Sequence, residues 1–190
     1  MNPENLIKPE VLFPERKLRL FSLYVDFAAA VRARWAADQI SRLAGEPWRT
    51  STEMWNLDSL AANQPIRKMI TQDAADADVL VVAMSSLDRR ELELVQWLDA
   101  VAACKVNRPV SGLFIGLLGD DNHQMGELDW TVKQFIRCAQ RTDRDFIWHW
   151  MEKETMDNHD WLPDSVTALL TRKQPPHDVA FWPENAVEVA

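Results

Sequence analysis

The chain has 190 residues, enough for one domain with a sizeable core and short for two. Its 21 basic and 29 acidic side chains give a formal charge of −8 with no Lys/Arg-rich run on any predicted helix, which argues against nucleic acid as a partner, since phosphate neutralisation needs clustered cations. No apolar run approaches the roughly 18 to 20 residues that span a bilayer, so no membrane-spanning helix is expected.

Residues 1–17, MNPENLIKPEVLFPERK, hold prolines and charges but no apolar segment of signal-peptide length, and read as an N-terminal extension of a cytoplasmic protein. LRLFSLYV predicts a first strand over 18–25, ending at Asp26. The segment after it places Phe27, Val31, Trp35 or Ala36, Ile40 and Leu43 on one helical face, and Gly45 with Pro47 closes that helix. WRTSTEMW alternates small polar and larger residues, the pattern of an edge strand over 48–55 with one wet face.

After Pro65, residues Ile66, Met69, Ile70, Ala74 and Ala77 recur at helical spacing. The continuous apolar run DVLVVAM then predicts a strand over 79–84 buried on both faces. RRELELVQWLDAVAACK predicts a helix with Leu94, Leu98 and Val101 turned inward, flanked by Val95 and Ala102, and SGLFIGLLG predicts a strand over 111–118. Leu128, Val132, Phe135, Ile136 and Ala139 mark an amphipathic helix, DFIWHW a fifth strand over 145–150, and PDSVTALLTRK a short last helix. Residues 173–190 read as a tail with prolines and Trp182, lying over the domain or reaching another subunit.

Strands alternating with helices imply right-handed crossovers and a parallel sheet covered on both faces. The expected architecture is a three-layer α/β/α sandwich over 18–172, with five parallel strands in the flavodoxin-like order 2-1-3-4-5. In such sheets ligands sit outside the carboxyl ends of the strands where the order reverses, here between strands one and three. Asp26, Phe27, Ser85, Ser86 and Asp120 are therefore the candidate rim of a cleft, with Trp55, Asn56, Gly119, Asp121 and Trp148 to Trp150 at neighbouring strand ends.

Three resemblances bear on that rim. The βα pattern resembles two-component receiver domains, with Asp26 at the acidic position after strand one. Met84, Ser85 and Ser86 stand where that family has its phosphoacceptor Asp, Gly119 stands near its hydroxyl position, and WHW ends strand five without the Lys. The resemblance thus implies a receiver-like domain without phosphorelay. ADADVLVVAMSSLDRRELELVQWLDAV resembles the third strand, flavin loop and helix of flavodoxins and small FMN-dependent reductases, which implies FMN; the turn Asp26-Phe27-Ala28-Ala29-Ala30 departs from a phosphate-binding loop by putting a carboxylate where the phosphate binds. Glu91 and Glu93 lie where NAD-cleaving and deoxyribosyl-transferring domains, which look similar, carry a catalytic Glu; as first-turn acids they also suit the helix dipole.

Other polar groups read as structural. Asp120, Asp121, His123 and Glu127 form an acid-rich solvated loop and no metal is expected; His159 lies at the solvated end of the domain. His149 between two Trp residues reads as a hydrogen-bonded structural histidine, and Cys104 and Cys138, without CxxC spacing, as buried free thiols. Trp35 and Trp97 are expected in the core, and Trp55, Trp130, Trp148, Trp150, Trp161 and Trp182 at an interface or pocket wall. The expected function is a non-catalytic receiver-like or flavodoxin-like domain that acts through a protein partner or as a homo-oligomer, with no cofactor. The alternative is a small-molecule or nucleotide-binding enzyme, an FMN-dependent oxidoreductase first and an NAD- or nucleoside-cleaving glycosidase second.

Overall fold

The computed structural model describes residues 16–85, 91–106, 110–119, 125–151 and 161–174. Among these residues five strands alternate with helices: β1 (Arg16–Tyr24), α1 (Phe27–Ala44), β2 (Trp48–Asn56), α2 (Ser59–Ala62), α3 (Gln64–Asp76), β3 (Val79–Met84), α4 (Glu91–Ala103), β4 (Gly112–Leu118), α5 (Met125–Arg141), β5 (Arg144–Trp150) and α6 (Pro163–Lys173). Every strand pair is parallel and the order is β2-β1-β3-β4-β5. The fold is flavodoxin-like α/β, as the sequence predicts; the short helix α2 has no counterpart in the periodicity.

The central strand β3 is buried at every position, as its unbroken apolar run requires. Alternate side chains feed two cores. On one face α1 and α6 cover Leu18, Leu20, Val79, Val81 and Ile115; on the other α3, α4 and α5 cover Phe21, Leu23, Leu80, Val82 and Phe114. Trp97 of α4 is fully buried and stacks on Phe21, ring centroids 6.1 Å apart. Gly116 of β4 is demanded by packing, because a Cβ there would lie 2.8 Å from the Phe135 ring of α5.

The inner face of α1 corrects the sequence reading. Ala29, Arg32, Ala33, Ala36, Ala37 and Ile40 are buried, whereas Phe27, Val31 and Leu43 are exposed. Small residues let the helix approach the sheet closely, with Ser22 of β1 fully buried on the same face of the sheet, and close approach outweighs the transfer energy of a few larger side chains. Trp35 is half-buried at the margin of this core. In α3 Met69 is exposed while Ile70, Thr71, Ala74 and Ala75 are buried, and in α5 Ile136 is exposed beside the buried Phe135. Among the described residues no helix is long and apolar enough to cross a membrane.

Candidate functional site

The carboxyl ends of β1, β3 and β4 meet above the sheet. Val25 donates its N–H to the Ala83 carbonyl (3.2 Å) and Gly119 to the Met84 carbonyl (3.2 Å), so the residues that follow each strand are drawn to one place. Asp26 caps α1 there: its backbone is extended and its Oδ1 accepts the Ala29 N–H at 2.8 Å, which satisfies one of the orphan donors of the first turn.

The same carboxylate holds Ser85. The Ser85 hydroxyl donates to Asp26 Oδ1 at 2.8 Å and its N–H to Oδ2 at 3.2 Å. Arg32, on the inner face of α1 and only 9% exposed, donates to the Ser85 hydroxyl oxygen and, at 3.2 Å, to the Gly119 carbonyl. Gly119 has no room for a side chain, since a Cβ would come within 2.2 Å of the Met151 carbonyl oxygen beyond β5. One carboxylate, one hydroxyl and one guanidinium thus tie together the ends of three strands and the start of α1.

Burial raises the Asp26 carboxyl, but the Ala29 N–H, the Ser85 hydroxyl and N–H, and the Arg32 charge together hold it below its ordinary value. A carboxylate so stabilised is a poor proton acceptor. General-base activation of Ser85 needs a group poised near the working pH, and Asp26 is pulled the other way. The Ala29 N–H at the start of α1 is also taken by the chain's own carboxylate, whose negative charge makes this helix start, among the described residues, a poor fit for a flavin phosphate.

Asp26 and Ser85 are therefore side by side, and Phe27, the first residue of α1, stands next to them with its ring 85% exposed. Ser86 and Asp120 lie outside the described residues, as do Asp88, Asp121, His123, His159 and Trp182. Among the described residues no group of His, Cys, Asp or Glu could hold a metal ion. Arg32 went unread in the sequence because it was not placed on the inner face; its signal is a lone cation inside the alanine row 29, 33, 36, 37.

The remaining candidates sit elsewhere. His149 stacks on Trp161 at 4.8 Å, and burial lowers its pKa. Cys138 is buried, which pushes its thiol up to about 11, while Cys104 is only half-buried, contrary to the expected buried thiol. Cys104 lines a cavity of about 710 Å³ between α3 and α4, rimmed by Arg67, Lys68 and Gln72.

No protein-family model matches the sequence, and no curated protein matches it. Solved structures similar to it include a short-chain flavodoxin associated with a bacterial microcompartment (12% identical, TM-score 0.49, covering 81% of this chain and 97% of that one). An oxidoreductase from Corynebacterium diphtheriae is 12% identical with TM-score 0.49 over 83% of this chain and 91% of its own. A Streptococcus mutans protein is 10% identical with TM-score 0.42 over 81% of this chain and 97% of its own. The likeness is one of fold and says nothing of activity.

Proposed function

We propose that this flavodoxin-like domain is a non-catalytic cytoplasmic module that works through protein contacts and without FMN. The observation that carries the reading is the saturation of Asp26: its oxygens are filled by Ala29 and Ser85, and its pKa is held low rather than raised toward neutrality. The group best placed to act as a base is locked into the fold, and the helix terminus best placed to bind phosphate holds a carboxylate. Apolar side chains open to solvent at the same end favour contact with protein: Phe27 begins α1 and Leu92, 67% exposed, lies in the first turn of α4.

The test is spectroscopic. Purified protein is expected to be colourless, and added FMN to keep its full fluorescence in its presence. A flavin absorption band that copurifies, or quenching of FMN fluorescence on titration, overturns the reading and puts an FMN-dependent oxidoreductase in its place. Incubation with acetyl phosphate and Mg²⁺ is expected to leave the mass unchanged, since no carboxylate follows β3 at Ser85.

A further inference from the structure

The two edges of the sheet are built differently. β2 shows solvent Arg49, Ser51, Thr52 and Glu53, the charges and hydroxyls that discourage strand addition. β5 reads RDFIWHW: it has no Lys and no Pro, and its register with β4 runs from Gly112↔Arg144 to Leu118↔Trp150 without a bulge. Trp148 is 43% exposed and Phe146, Ile147, His149 and Trp150 are each half-buried. At its amino end β5 carries Arg144, turned inward onto the carbonyls of Ala74, Ala75 and Ala77, and Asp145, paired with Arg172.

Backbone parity says which groups are offered. Gly112 donates to the Asp143 carbonyl and Met151 to the Leu118 carbonyl, so odd positions of β5 face β4. Even positions, Phe146 and Trp148 at the centre, point N–H and C=O away from the sheet, where the described residues supply no further strand. A regular, aromatic edge of this kind is a template for another strand.

We infer that β5 is a dimerisation edge, and that the partner is β5 of a second copy of this chain, added antiparallel about a two-fold axis through Ile147. This register centres the pairing on Asp145 to His149. It sets Phe146 opposite Trp148 of the second copy, twice, in hydrogen-bonded positions, where aromatic cross-strand pairs stabilise a sheet. Asp145 then lies opposite His149 of the second copy, and no like charges oppose. A shift by two residues shortens the pairing and loses the Asp145–His149 match. The chain's own residues 175–190 are the poorer occupant: α6 packs with α1, on the face opposite α5, and a parallel strand added beyond β5 from there requires a left-handed crossover.

The inference makes the protein contact of the preceding reading specific. Flavin binding sinks that reading without touching sedimentation behaviour, so the two fail separately. The 190-residue chain is expected to sediment at twice the chain mass, and Trp148→Lys at the chain mass with its circular dichroism unchanged. In a background of Cys104→Ser and Cys138→Ala, Ile147→Cys should cross-link to a covalent dimer under diamide, because non-hydrogen-bonded partners on the axis bring like residues together. Trp148→Cys, facing Phe146 instead, should not. A wild-type monomer at every concentration, a dimer that Trp148→Lys leaves intact, or equal cross-linking by the two cysteine variants overturns the inference. So does a monomer that dimerises only when residues 175–190 are removed, which would make the tail the occupant.

Discussion

Both ends of the sheet carry an acid, a cation and backbone partners, and the two clusters differ in how deeply they are sunk. At the amino end Asp78, 8% exposed, accepts the Arg19 N–H at 2.8 Å and pairs with Lys173 of α6, while its own carbonyl accepts the Leu113 N–H. Beside it the buried Arg144 donates to the carbonyls of Ala74 (2.8 Å), Ala75 (3.0 Å) and Ala77 (3.0 Å), groups that the end of α3 leaves without helical partners. At the carboxyl end Asp26 and Ser85 make similar bonds but stay partly open to water, and only Arg32 is buried. Similar chemistry therefore ties elements together at both ends, and only at the carboxyl end does it leave a reachable surface. Burial separates the roles, because an unmatched polar group costs most where water cannot replace the lost partner.

Mutations can break that comparison in graded steps. Arg144→Met should cost most, about 3 kcal/mol in urea denaturation, because it strips a shared donor from buried carbonyls. A loss below about 1 kcal/mol would show that water reaches the α3 terminus. Asp78→Ala should cost about 2 kcal/mol and strand the half-buried Lys173, again by denaturation; it should leave the response to FMN unaltered. At the other end the effect should be a matter of pH. Asp26 has a folded pKa below its unfolded value of 3.8. Its contribution is thus present above that value and is lost as pH falls through the folded pKa. Asp26→Asn, which keeps an N-capping side chain, should change stability by less than about 1 kcal/mol at neutral pH and flatten the acid limb of the stability curve. An unchanged acid limb would mean that Asp26 is not held as the bonds imply. Smallest of all, Phe27→Ala should stay within about 0.5 kcal/mol by thermal denaturation, as expected of so exposed a side chain; a larger loss would place its ring in the core after all.

Local pattern was enough for the sheet. The run VLVVAM after Asp78 is apolar at every position, which no half-wet strand tolerates, and WRTSTEMW alternates as an edge does; strand alternation with helices then left few ways to connect them, and β2-β1-β3-β4-β5 followed. The meeting of Asp26 with Ser85 followed from that topology, since both end neighbouring strands. What periodicity could not rank was which face of α1 turns inward. Hydrophobicity favours Phe27, Val31 and Leu43, but whether a large or a small residue fits depends on the distance between helix and sheet, a property of the assembled layers. Only the tertiary structure sets that distance, and by setting it close it buries the alanine row and carries Arg32 in with it to Ser85 and the Gly119 carbonyl. A charge enters a core only where partners wait for it, and those partners lie 53 and 87 residues away in the chain, beyond the reach of any local pattern.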